Sequence, residues 1–279
     1  YKWTVKNIKL DVQEKRIFKD DVLNKMFKGK DLTKITRLTN LSGVTDLTGI
    51  ENLVNLTHLE INGEYNDIHD ISVLSKLTKL EELSIENTKI INIFPLSNLV
   101  NLKSLNIAGP FIDPEYSDAQ NPQDYVIENV DALKDLTNIE TLSIANRGIK
   151  DISGLANLTK LNDVILSGNN ISDISSLKNL RGIKSLDLSS NKNINDISAL
   201  KELKNLEYLW LTENKIETID ALSDLVNLKK LYINVNKISD LTPLENLSNL
   251  THLSIGANNI NNLVPLKNLT NLTSLRAAD

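Results

Sequence analysis

The stretch LEYLWLTENKIETIDALSDLVN, residues 206–227, decides the fold. Its apolar residues fit neither the three- and four-residue steps of a helix nor the strict alternation of one long strand. They fit instead a coil in which each turn contributes one short strand and one return segment. Within this unit of 22 residues the apolar positions are one, four, six, eleven, fourteen, seventeen and twenty: Leu206, Leu209, Leu211, Ile216, Ile219, Leu222 and Leu225.

The same unit recurs along most of the chain. Repeats begin near Lys34 with an irregular first unit, and full units then follow at steps of 22 to 24 residues, apart from one step of 37. The template L-x-x-L-x-L-x-x-N-x-I-x-x-I is the leucine-rich repeat signature. It predicts an α/β solenoid, a horseshoe with a parallel β-sheet on its concave side and 3₁₀ or extended segments on its convex side. Full units start at Leu56, Leu80, Leu102, Ile139, Leu161, Ile183, Leu206, Leu228 and Leu250, and a truncated unit starts at Leu272.

We predict two parts in the chain. Residues 1–33 form a short strand and a helical cap, and residues 34–279 form the repeat domain, with a rim insertion at residues 110–126. We expect the repeat domain to be C-terminally truncated, because the chain stops within a repeat. Asp20 and Asp21 suit the first turn of the cap helix. A solenoid exposes the apolar edge of its first coil, so an amphipathic helix is the expected cover; a partner-binding helix is the alternative.

The composition of the chain limits the kinds of partner, metal and cofactor that we expect it to bind. The 279 residues carry a formal charge of −5 without a long run of either sign, which argues against nucleic acid as a partner. No apolar stretch approaches the length of a transmembrane helix, so we expect no direct membrane insertion of this fragment. Cysteine is absent, and His58, His69 and His252 are far apart in repeat register. We therefore expect no metal site and no cofactor.

Asparagine recurs at position nine of the unit, where the chain leaves the strand. Its amide can bond the backbone groups of neighbouring coils, which a buried bend cannot leave unpaired. We therefore interpret these asparagines as structural. Thr88 and Arg147 interrupt the series, so we expect a weaker ladder there. The asparagines are Asn169, Asn191, Asn214, Asn236 and Asn258.

The unit N-x-I-x-D-I-x-x-L-x-x-L at residues 169–180 resembles the repeat of the internalin family of bacterial surface proteins. The stretch I-F-K-D-D-V-L-N-K-M-F at residues 17–27 is similar to that family's helical cap, and residues 35–50 resemble its irregular first repeat, one residue short. The resemblance implies adhesion through the concave sheet to a protein or glycoprotein receptor on a host or neighbouring cell. It also implies a bacterial surface or secreted location. An intracellular leucine-rich repeat scaffold or regulatory subunit is the alternative.

One aromatic cluster stands out on the predicted concave face, which positions three, five and seven of each strand should line. Trp210 and Tyr232 share position five on adjacent strands, and Tyr208, Lys230 and His252 border them. Large aromatic side chains on a rigid sheet are typical of binding hot spots. We predict that these five residues bind the partner. Cross-strand packing that only steadies the sheet is the alternative.

The insertion in the unit that starts at Leu102 is a second candidate surface. Its aromatic residues Phe111, Tyr116 and Tyr125 are predicted secondary contacts with a partner, and a loop packed on its own aromatics is the alternative. Its acidic residues do not have the spacing of a calcium-binding loop, so no metal is expected there. These acidic residues are Asp113, Glu115, Asp118 and Asp124.

The acidic concave residues Glu60, Glu82 and Glu86 are interpreted as a solvated face that could steer a basic partner. The sequence has no glycine-rich phosphate loop, nucleophile elbow or paired-carboxylate pocket. Ser254 lies near His252 without an orienting acid in register. We therefore predict that the chain is not an enzyme.

Overall fold

The structure, a computed structural model, describes residues 16–61, 67–111, 125–127 and 129–278. An 11-stranded parallel sheet runs through them, and its strands are paired in chain order. This arrangement confirms the predicted open solenoid. The strands are β1 (Arg37–Leu38), β2 (His58–Ile61), β3 (Glu82–Ile85), β4 (Ser104–Asn106), β5 (Thr141–Ser143), β6 (Asp163–Ile165), β7 (Ser185–Asp187), β8 (Tyr208–Trp210), β9 (Lys230–Tyr232), β10 (His252–Ser254) and β11 (Ser274–Arg276).

The return segments form short 3₁₀ turns on the opposite side of each coil, as predicted. Three of them contain proline at the start of the turn, where its fixed φ and missing N–H are tolerated. The turns span Ile50–Asn52, Ser72–Lys76, Phe94–Leu96, Asp131–Leu133, Ser153–Leu155, Ser175–Asn179, Ser198–Glu202, Asp220–Leu222, Thr242–Leu244 and Val264–Asn268, and a further turn, Leu32–Lys34, precedes β1.

The repeated leucines and isoleucines fill the space between the sheet and the outer turns. All seven apolar residues of the unit at residues 206–227 are at most 1% exposed. The buried apolar side chains form one continuous cluster from Phe18 to Leu269. Burying each such side chain is worth about 1.5–3 kcal/mol, so coil-on-coil packing dominates the stability of the solenoid.

A single carboxylate starts the N-terminal helix and fastens it to the first coil. Helix α1 (Asp21–Phe27) is capped by Asp20, whose Oδ1 accepts hydrogen bonds from the N–H groups of Val22 and Leu23 at 2.9 and 3.2 Å. The second oxygen, Oδ2, accepts from the Thr45 N–H at 3.0 Å. The predicted helical cap is thus present, while the strand predicted before it lies outside the described residues.

The cap covers the apolar edge of the first coil. Leu23 and Phe27 on α1 are buried, and the Phe27 ring stacks on Phe18 with centroids 5.1 Å apart. The chain before the helix passes so close to Gly49 that a Cβ there would lie 2.3 Å from the Ile17 carbonyl oxygen. Gly49 also has a φ of +103°, so both space and backbone conformation require glycine at this contact.

An ion pair adds a pH-sensitive tie between the cap and the first coil. The Lys19 Nζ lies 2.6 Å from an Asp46 carboxylate oxygen. Hydrogen bonds from Lys19 and Thr48 lower the pKa of Asp46 to about 2. The pKa of Asp46 is lower in the folded state than its ordinary value, so the ionised carboxylate stabilises the fold at pH values above that ordinary value. This stabilisation is lost as the pH falls towards 2.

The position-nine asparagines close the bend after each strand. Asn169 Nδ2 donates to the carbonyl oxygen of Leu166 in its own coil at 2.9 Å and of Ile144 in the preceding coil at 3.0 Å. Its Oδ1 accepts from the N–H groups of Arg147 and Ile149. This confirms the structural role. Equivalent pairs of Nδ2 hydrogen bonds are made by Asn191, Asn214, Asn236 and Asn258.

The expectation of a weaker ladder at Arg147 is wrong, because the longer side chain takes over the role of asparagine across two coils. Arg147 is fully buried. Its Nε donates to the Ile107 carbonyl oxygen at 2.5 Å and its Nη1 donates to the Thr88 carbonyl oxygen at 2.8 Å. Burial lowers the pKa of Arg147 to about 10, which leaves the guanidinium charged at neutral pH and its hydrogen bonds charge-assisted.

Replacing Asp20 by Ala removes both the helix cap and the bond to Thr45. We expect the free energy of unfolding to fall by about 1–3 kcal/mol, measured by urea denaturation. Asp21→Ala is the matched control, because Asp21 is exposed and pairs only with Arg16 in the described contacts; it should change stability by less than about 1 kcal/mol. Equal losses for the two variants would contradict the proposed role of Asp20.

Replacing Arg147 by Met keeps an apolar stem but leaves buried carbonyl oxygens without a donor. We expect a loss of roughly 3 kcal/mol in the free energy of unfolding. Arg181→Met is the control, since Arg181 is exposed and its guanidinium lies 3.3 Å from Glu202 at the surface. A stable Arg147→Met protein would show that the coils do not depend on the guanidinium.

Candidate functional site

The predicted aromatic cluster is assembled by strand register. Trp210 in β8 is aligned with Tyr232 in β9, and Tyr208 is aligned with Lys230. Lys230 is aligned in turn with His252 in β10. All five side chains are partly exposed, whereas the alternating strand leucines are buried. The structure therefore brings the five predicted residues together on the concave face.

The three aromatic rings form a stack. The ring centroids of Trp210 and Tyr232 are 5.7 Å apart, with an angle of 2° between the ring planes. The centroids of Tyr208 and Trp210 are 6.3 Å apart, with an angle of 23°. The Lys230 Nζ lies 5.9 Å from the centroid of the Tyr208 ring, which places a cation against the same group.

The orientation of the stacked rings relative to the sheet determines which ring atoms a partner would contact. Neighbouring parallel strands are about 4.8 Å apart, so nearly parallel rings on β8 and β9 stand on edge above the sheet. The facing sides of the Trp210 and Tyr232 rings cover each other. The stack thus offers apolar area together with polar ring atoms, a combination suited to a protein partner.

Ile165 extends this surface and was not selected from the sequence. It occupies position five of β6, is 37% exposed, and is aligned with Asp187, which is aligned with Trp210. The signal was present, because position five outside the aromatic pair Trp210 and Tyr232 is small or polar in the other strands, and Ile165 is the exception. It was missed because one aliphatic residue is a weaker indication of binding than adjacent aromatics.

The second predicted surface is only partly supported. Phe111 is 80% exposed and remains available to a partner. Tyr125 is only 6% exposed, so its predicted contact with a partner is corrected: the ring is buried and offers a partner little surface. Tyr116 and the acidic residues of the insertion lie outside the described residues.

Two further properties follow for the described part of the chain. It contains no helix with the length and apolarity needed to cross a bilayer. Its histidine, aspartate and glutamate side chains form no group of three that could hold a metal ion.

A double-mutant cycle measures how much the stack contributes to stability. The single variants Trp210→Ala and Tyr232→Ala and the double variant should show a coupling of about 0.5–1.5 kcal/mol in urea denaturation. This range is expected because an aromatic pair adds stacking energy beyond the area it buries. Coupling near zero would mean that the rings do not stack in solution.

Comparison with known proteins agrees with this architecture. The leucine-rich repeat family (2 copies) matches residues 204–246. The crystal structure of an internalin, InlF, from Listeria monocytogenes is 35% identical, with a TM-score of 0.83 over 94% of this chain and 76% of that chain. The functional domain of InlJ from the same organism is 23% identical, with a TM-score of 0.71 over 94% of this chain and 60% of that chain, and shows the shared fold.

More distant solenoids share the fold alone. One is the leucine-rich repeat ectodomain of a receptor kinase from Arabidopsis thaliana, solved in complex with Casparian strip integrity factor 2. It is 20% identical, with a TM-score of 0.62 over 86% of this chain and 32% of that chain. No curated protein sequence matches the chain at a significant level. From its cap, its repeats and its identity to InlF, the chain belongs to the internalin family.

Proposed function

We propose that this chain is a non-enzymatic interaction module of a bacterial surface or secreted protein. It binds a protein or glycoprotein receptor on a host or neighbouring cell through its concave face. The observation that carries the proposal is the parallel stack of Trp210 on Tyr232, partly exposed within a sheet face whose other side chains, apart from Tyr208 and Ile165, are mostly small or polar.

Binding explains the stack better than sheet stability does. The coils are already held by buried aliphatic side chains and by the hydrogen bonds at each bend. The sheet therefore does not need three aromatic rings on its solvent side, and each ring keeps part of its area exposed there. Aromatic side chains on a preorganised surface are instead enriched where proteins bind each other.

Family membership supports both the kind of partner and the location. Leucine-rich repeat solenoids bind protein partners, as the plant receptor ectodomain in its complex illustrates. The resemblance of the repeats and the cap to the internalins favours a bacterial surface or secreted protein over the intracellular scaffold considered from the sequence.

Capture from a host-cell surface extract tests the proposal, with the immobilised chain compared between variants. Trp210→Ala should reduce the recovered partner about tenfold or more, because hot-spot residues commonly contribute at least about 2 kcal/mol to binding. Its melting temperature should fall by only a few degrees, roughly what about 1 kcal/mol produces in a chain of this size.

Phe94→Ala is the matched control for that experiment. Phe94 is an aromatic residue on the convex side, in the turn Phe94–Leu96, and is 71% exposed. The control should capture partner as the unmodified chain does. Intact capture by Trp210→Ala, together with a large loss of thermal stability, would show that the stack serves packing instead of binding.

A further inference from the structure

Charges on the described concave face segregate along the sheet. From β2 to β8 the residues at positions three, five and seven include carboxylates but neither lysine nor arginine. From β9 to β11 they include lysine and arginine but no carboxylate. Arg37 in β1 is a cation beyond the acidic stretch, at the outermost edge. The carboxylates are Glu60, Glu82, Glu86, Asp163 and Asp187, and the cations are Lys230 and Arg276.

Beside the concave face, at position two of the coils, lies the flank of the sheet. There, positive and negative side chains pair with each other. Lys103 Nζ lies 2.7 Å from a Glu81 carboxylate oxygen, and Lys229 Nζ lies 2.5 Å from Glu207. These pairs occupy position two of their coils, beside the concave face. They are surface ion pairs of small energetic value, and they leave the flank with little net charge to offer a partner.

The concave carboxylates are held by other groups. The Glu82 Oε1 lies 3.2 Å from His58 Nε2. Glu86 accepts hydrogen bonds from Asn106 Nδ2 at 2.7 Å and from Ser84 Oγ at 3.2 Å. These contacts orient the two carboxylates, and the neutral partners of Glu86 leave its charge uncancelled.

The change of sign coincides with the aromatic stack. Asp187 in β7 is aligned with Trp210 in β8, and Lys230 in β9 is aligned with Tyr208 in β8. The stack thus lies between the acidic and the basic part. With strands about 4.8 Å apart, Glu82 in β3 and Lys230 in β9 are separated by about 29 Å along the sheet. A helix of about 20 residues has that length.

We infer that the concave face takes a protein segment of opposite polarity, and this inference rests on the proposed function. Lysine or arginine side chains of the partner face β2 to β7, and aspartate or glutamate side chains face β9 to β11. An apolar side chain between them contacts the stack of Tyr208, Trp210 and Tyr232. The reversed orientation brings like charges together, so the charge pattern selects one direction of docking and speeds association.

Two synthetic peptides of about 20 residues and identical composition test this. In the block peptide, lysines fill one half and glutamates the other, around central leucines. In the alternating peptide the same residues are mixed. Trp3 and Trp210 are the two tryptophans of the chain, so in a Trp3→Phe background the fluorescence of Trp210 reports binding at the stack.

At low ionic strength the block peptide should bind about ten times more tightly than the alternating peptide, and added salt should reduce the difference. The double variant Glu82→Gln with Glu86→Gln should weaken the preference. Glu81→Gln on the flank is the matched control and should leave the preference unchanged.

Equal affinities for the two peptides, a preference insensitive to Glu82→Gln with Glu86→Gln, or no binding of either peptide at millimolar concentration would overturn the inference. The proposed function fails separately, when Trp210→Ala still captures partner from the surface extract. Loss of capture by Trp210→Ala together with equal peptide affinities leaves the proposed function standing and removes the charge pattern from it.

Discussion

The structure depends on hydrogen bonding at the bend that follows each strand. A carbonyl group buried there must find a donor, and the amide of Asn169 supplies one to its own coil and one to the coil before it. Each coil is thereby held in fixed register with its neighbour. Residues at position five then lie side by side along the sheet, and the stacking of Trp210 on Tyr232 follows from that register.

The same constraint separates the stability of the molecule from its recognition surface. Leucines and isoleucines at the alternate strand positions carry the core, so the concave positions are free to vary without loss of the fold. In this chain they combine one aromatic stack, an exposed Ile165 two strands away and a change of charge sign at the stack. A rigid sheet presents these groups without the cost of ordering a flexible backbone at the moment of binding.

Periodicity explains how much could be predicted from the sequence. The strands, the outer turns, the asparagine ladder and the neighbours of Trp210 all follow from one repeated unit. The roles of Arg147, Tyr125 and Asp20 do not, because each depends on contacts outside the repeat. Arg147 bonds Thr88 across 59 positions, Tyr125 emerges from the aperiodic insertion, and Asp20 bonds Thr45 across 25 positions. Which concave residues bind also remains a question of side-chain chemistry that coil geometry leaves open.

The most direct test is the alignment of β4 with β5, because the insertion between these two strands interrupts the 22-residue repeat. The chain contains no cysteine, and Asn106 in β4 is aligned with Ser143 in β5. In the double variant Asn106→Cys with Ser143→Cys, the two Cα atoms are about 4.8 Å apart, within the range that a disulfide spans. In the double variant Ser104→Cys with Ser143→Cys, they are about 8 Å apart, which is too far. Oxidation followed by mass spectrometry should show near-complete crosslinking of the first pair and little of the second. Equal or reversed yields would contradict the register.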